Sequence, residues 1–129
     1  AMLDYDAYYK AVNGQVNDLF YYYREQAALK ARQYQRALDD IVKAIELSPK
    51  DLTYRAEHAV VNLRVGRYEE SMKILNEILK DEPKYGEAYR LLGLCQIQLK
   101  KTDEACGNFN KAKELGDPNV DELIKKYCK

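Results

Sequence analysis

Tryptophan is absent from this chain of 129 residues and histidine occurs once, at position 58. A Ser-His-Asp or Cys-His arrangement would therefore have to use His58, which sits inside a helical pattern and reads as a structural histidine. Phosphate-cradling and metalloprotease signatures, G-x-x-x-x-G-K-[ST], G-x-G-x-x-G and H-E-x-x-H, do not occur, so no catalytic residue, bound metal or cofactor is expected. The three cysteines, Cys95, Cys106 and Cys128, are odd in number and have no C-x-x-C spacing or histidine near them. They are expected to be reduced, which excludes a disulfide framework or a zinc site and suits a cytoplasmic setting. Cys95 and Cys106 flank Lys100-Lys101-Thr102 and read as two small core thiols.

Net charge is also missing: 21 Lys and Arg balance 21 Asp and Glu, and the balance holds separately in each half of the chain. Nucleic-acid binding needs clustered cations that displace counterions, so no nucleic-acid partner is expected and a mixed-charge one fits better. No apolar run approaches the length of a membrane span, and the first residues have neither the basic start nor the apolar core of a signal peptide, so no membrane insertion is expected. Ala1 ahead of Met2 reads as a cloning remnant, and a longer parent chain is expected. Proline and glycine are also scarce, at three and six residues, which leaves long periodic stretches between the turns.

Those stretches hold most of the 47% hydrophobic residues, and their spacing is helical. Tyr34, Ala37, Leu38, Ile41, Ala44 and Ile45 follow the three-and-four spacing of one buried face, with Pro49 ending that helix and Asp51 placed to cap the next. The spacing predicts an all-α chain with helices over 4–12, 18–32, 34–47, 52–65, 68–81, 86–99, 102–115 and 118–127. A period of 34 residues runs through it, pairing Pro49 with Pro83 and aligning Ala37, Ser71 and Ala105. Tyr34, Tyr68 and Thr102 share the period, as do Ile41, Leu75 and Phe109, and Ala44, Ile78 and Ala112. Small residues recur where helices must approach closely, and bulky ones where a neighbour must be filled.

In these columns the chain resembles the tetratricopeptide repeat family, whose unit is a pair of antiparallel helices. Ala59, Gly66-Arg67-Tyr68, Ser71 and Asp81-Glu82-Pro83 match the family pattern in the middle unit; Tyr89, Leu92, Gly93, Ala105, Phe109 and Ala112 match it in the next. The resemblance implies a right-handed superhelical solenoid with repeats at 18–51, 52–85 and 86–119, a partial N-terminal repeat or capping helix over 1–17, and a capping helix over 118–129. Arg24-Glu25 and His58 depart from the pattern, and looser packing is expected in the first pair.

The resemblance also implies a non-enzymatic scaffold that binds a protein or peptide partner. First helices line the concave groove of such an array, so residues one period apart form ladders across its floor. Tyr22, Ala56 and Arg90 form one ladder, Gln26, Val60 and Leu94 the second, and Lys30, Arg64 and Gln98 the third. Tyr22, Val60 and Leu94 are the expected apolar anchors of a peptide or partner helix. The carboxylate clamp that holds acidic chaperone tails in this family is not matched: its positions carry Tyr22, Gln26, Glu57, Glu87 and Leu91. The acidic pairs Asp39-Asp40, Glu69-Glu70 and Asp103-Glu104 read as complements to the dipoles of second helices. Half of the twelve tyrosines fall within the first 23 residues. Tyr5, Tyr8 and Tyr9 there support an alternative role in homodimer formation or as a spacer of a larger protein, against the simpler readings as packing or as the face left by a missing upstream repeat.

Overall fold

The computed structural model describes residues 4–129, and every regular element among them is an α-helix. The helices are α1 (Tyr5–Ala11), α2 (Asp18–Lys30), α3 (Tyr34–Leu47), α4 (Leu52–Val65), α5 (Tyr68–Asp81), α6 (Gly86–Gln98), α7 (Thr102–Glu114) and α8 (Asp121–Tyr127). The chain divides into two compact units, one ending at Tyr54 and one running Arg55–Lys129. Asn17 and Asp51 start α2 and α4, their side chains accepting from the amides of Phe20 (3.1 Å) and Tyr54 (3.1 Å).

The ends of α2, α4 and α6 show the period in the backbone itself. Arg32, Gly66 and Lys100, each 34 residues apart, adopt left-handed φ values of 61°, 94° and 62°. In each turn the next amide, that of Gln33, Arg67 or Lys101, donates at 2.8 Å to a carbonyl five residues back, on Ala28, Asn62 or Gln96. That bond closes the helix end and reverses the chain into α3, α5 or α7. Only the middle turn uses glycine, the residue that adopts this conformation without steric cost.

In the unit ending at Tyr54, α2 packs on α3 through Ala28, Leu29, Ala37, Ile41 and Ala44. Arg24 strengthens that contact where looser packing was expected. Its guanidinium donates to both carboxylate oxygens of Asp40, at 2.9 and 2.7 Å, and Asp40 is buried. Asp40 thus serves an ion pair a full turn inside α3 rather than the helix dipole, whereas Glu69-Glu70 and Asp103-Glu104 do lie in the first turns of α5 and α7. Glu25, the other departure, is fully buried.

In the unit running from Arg55, α5 packs on α6, α6 on α7 and α7 on α8. The small-residue position on α5 is Ser71, whose hydroxyl donates 2.8 Å to the carbonyl of Ala59 on α4. Leu75, Ile78, Ala105, Phe109 and Ala112 are fully buried, as are Ile41 and Ala44 in the other unit, so the three recurring core columns form the interior. Each large member contributes roughly 1.5–3 kcal/mol by leaving water.

The cysteines correct the expectation of three reduced thiols. Cys106 on α7 and Cys128 at the end of α8 form a disulfide across 22 residues, while Cys95 is buried and free. Sequence distance hid this pair, because the turn at Leu115–Asn119 folds α8 back along α7 and brings the two Cα atoms within 5.7 Å. With two of the three cysteines paired, a cytoplasmic setting no longer follows from unpaired thiols.

Candidate functional site

The nine residues expected to line a groove fall on three helices, and their exposure changes along each helix. Tyr22, Gln26 and Lys30 occupy successive turns of α2; Ala56, Val60 and Arg64 do so on α4, and Arg90, Leu94 and Gln98 on α6. Lys30, Arg64 and Gln98 are not all alike in chemistry, but each sits at the open end of its helix face, and Gln26, Val60 and Leu94 are half-buried. The remaining ladder is uneven: Tyr22 and Arg90 are half-buried, but Ala56 is only 2% exposed and acts as packing.

Tyr22 packs its ring on Tyr54, with centroids 5.2 Å apart, and Tyr54 anchors the start of α2. The Tyr54 hydroxyl donates to Asp18 at 2.7 Å and the Ser48 hydroxyl to the same oxygen at 3.2 Å. The Tyr54 bond, followed by that from Ser48, holds the Asp18 carboxyl below its ordinary pKa against a contrary effect of burial. Burial, then the bond to Asp18, raises the Tyr54 phenol, so this network stays fixed through neutral pH. Arg90 is also committed: it donates to Asp117 at 2.6 Å and lies 3.5 Å from Glu87. Sequence spacing offered no signal for this bond, because the positions one and two periods before Asp117 are Pro83 and Pro49 and carry no acid.

Glu57 on α4 is half-buried, and burial followed by the charge of Glu87 on α6 raises its carboxyl above the usual range. Leu91 is buried at 4% exposure. These positions hold two mutually repelling carboxylates and a core leucine. His58, beside Glu57, accepts a hydrogen bond through its backbone carbonyl from the buried Asn62 side chain at 3.0 Å, and burial lowers its imidazole pKa. Among the described residues no group of three or more His, Cys, Asp or Glu side chains could hold a metal ion, and no helix is long and apolar enough to cross a membrane.

The N-terminal tyrosines surround Phe20. Tyr5, Tyr8 and Tyr9 place their ring centroids 5.7, 5.8 and 5.9 Å from it, and Arg24 lies 5.1 Å above the same ring. Tyr5 and Tyr9 are half-buried there, and Tyr8 is 55% exposed. This cluster joins α1 to α2 internally, which is the packing role weighed against an interface.

Recurring helix hairpins, closed by the same turn and filled by the same three columns, define a helical-repeat protein. The tetratricopeptide repeat profile matches residues 28–91, and the chain belongs to the tetratricopeptide repeat family. It is 32% identical over 101 residues to the heat shock protein STI1 of Saccharomyces cerevisiae, covering 75% of this chain and 17% of that protein. It is 30% identical over 99 residues to a small glutamine-rich tetratricopeptide repeat-containing protein 2 of Mycosarcoma maydis, covering 77% of this chain and 28% of that one. The chain thus spans well under a third of these relatives. Among solved structures, the first repeat domain of Spaghetti (RPAP3), bound to the HSP90 peptide SRMEEVD, superposes with a TM-score of 0.73 at 19% identity, covering 86% of this chain and 90% of that one.

Proposed function

We propose that the chain is a non-enzymatic interaction scaffold that holds a peptide or partner helix on its first helices, α2, α4 and α6, without a carboxylate clamp. The observation that carries this reading is the exposure of the middle ladder: Gln26, Val60 and Leu94, one period apart, are all half-buried. Val60 and Leu94, with Tyr22 one turn earlier on α2, are the apolar anchors; each keeps exposed apolar surface that a partner can remove from water. Gln26 and Gln98 offer hydrogen bonds that set register, while the exposed Lys30 and Arg64 favour a partner with acidic side chains beside its apolar ones. Ala56 and Arg90 shape the surface from behind, the first by packing and the second by holding the turn at Asp117.

The solved relative bound to an HSP90 peptide supports a peptide ligand for this architecture. The mode of binding differs in this reading. Glu57 and Glu87 would repel a terminal carboxylate, so an acidic chaperone tail is not the proposed ligand. Self-association through the tyrosine edge is not proposed either, since Tyr5 and Tyr9 are committed to Phe20.

Affinity capture from a lysate of the source organism tests the reading, comparing wild type with a variant carrying Tyr22→Ala, Val60→Glu and Leu94→Glu whose helicity is verified by circular dichroism. A partner retained by wild type and lost by the variant is the expected result. Equal retention by both would move the binding surface off these helices.

A further inference from the structure

We propose that the Cys106–Cys128 disulfide is a redox lock on α8, which when oxidised holds α8 over the apolar end of α7 and when reduced lets α8 open. Little else fastens that helix. α8 has seven residues, none of them fully buried, and its N-cap, Val120, makes no side-chain capping bond. A helix this short has little stability of its own and depends on docking. Val120 is fully buried, while Leu123, Ile124 and Tyr127, themselves only partly buried, pack against the buried core of Ala105, Phe109 and Ala112. The Tyr127 ring lies 6.4 Å from that of Phe109. Between α7 and α8, Lys113 pairs with Asp121 at 3.6 Å, but both side chains are exposed and the pair adds little.

The disulfide stands at the far end of this weak contact, tying the end of α8 to the first half of α7. Cutting a link that closes 22 residues restores chain entropy to the undocked state, which corresponds to roughly a 100-fold rise in the opening of α8. Both cysteines are half-buried, within reach of a small reductant, whereas Cys95 is buried and its thiol pKa is raised by that burial. A dithiol supplies the chemistry: one thiolate attacks Sγ of Cys106 or Cys128 and forms a mixed disulfide, and the second thiolate displaces the cysteine. Two electrons and two protons pass to the protein, leaving two thiols and an oxidised dithiol. Opening α8 uncovers Phe109 and Ala112, an apolar face available in one redox state only.

Hydrogen exchange read by mass spectrometry tests the lock on the full chain, as purified under non-reducing conditions and after dithiothreitol. A Cys106→Ser, Cys128→Ser double variant reproduces the open state without reductant. The expected result is exchange about 100-fold faster in peptides covering 120–128, in both the reduced protein and the variant, with α5 and α6 unchanged. Unchanged protection of 120–128 would overturn the proposal, as would loss of protection throughout Arg55–Lys129, which would make the bond a general staple. Recovery of all three cysteines as free thiols from the unreduced protein would overturn it as well.

Discussion

Gly93 meets the ring of Phe109 so closely that a Cβ there would lie 2.3 Å from Cε1 and 2.6 Å from Cδ1. That ring is fully buried and cannot retreat without displacing its neighbours. Gly107, by contrast, stands on the exposed face of α7, where an added Cβ would meet nothing within 4 Å. Gly93→Ala should lower stability by about 1–3 kcal/mol through overpacking, and Gly107→Ala should raise it by roughly 0.5–1 kcal/mol through helix propensity; urea titrations of the two variants check both signs. Family resemblance singled out Gly93 and Phe109, but only the packed structure shows that each requires the other. His58 gives a second residue-level test. Burial lowers its pKa from 6.5, so as pH falls below 6.5 the unfolded chain binds the proton first. Its contribution is complete above that pH and declines through the acid range, and His58→Gln should flatten this part of a plot of urea midpoint against pH. Arg24 and Asp40 were the least legible residues, since charged side chains read as solvated until a partner from the facing helix appears.

Helix limits followed the sequence closely because a repeated apolar face and its turns constrain them together. The 34–47, 52–65 and 68–81 helices coincide with α3, α4 and α5. The ends of α2 and α6 stop short of the expected 32 and 99, because the last residues there belong to the closing turns. Those turns carry a prediction of their own. Arg32 and Lys100 hold left-handed φ values of 61° and 62° with side chains attached, in the place where Gly66 stands one period away. Arg32→Gly and Lys100→Gly should each stabilise by about 0.5–1 kcal/mol by relieving that steric cost, measured as a rise in urea midpoint with an unchanged slope. A lower midpoint would mean that the longer side chains contribute more contact than the turn conformation costs. The end of the chain was legible as a helix but not as a cross-linked one. An odd cysteine count says nothing against one bond and one spare thiol, and Cys128 lies beyond the last full period, where no repeat column points to Cys106 as its neighbour.

For the whole molecule, a 34-residue period pointed to a repeat family that the profile match then established. The proposed binding surface rests on positions read from the period, and the structure alters the part that two of them can play. Ala56 and Arg90 lie at the expected register, yet burial takes the first out of contact and Asp117 engages the second. In the proposed reading, direct contact with a ligand therefore falls to Tyr22, Gln26, Lys30, Val60, Arg64, Leu94 and Gln98. A peptide selected from a random display library on the wild-type protein, then titrated into isotopically labelled protein and followed by NMR, tests that assignment most directly. Binding on the first helices predicts amide shift changes concentrated on α2, α4 and α6 around those residues, with affinity at least tenfold weaker for the Tyr22→Ala, Val60→Glu, Leu94→Glu variant, about 1.4 kcal/mol or more. Shift changes confined to α3, α5 and α7, with affinity unaltered in the variant, would contradict it.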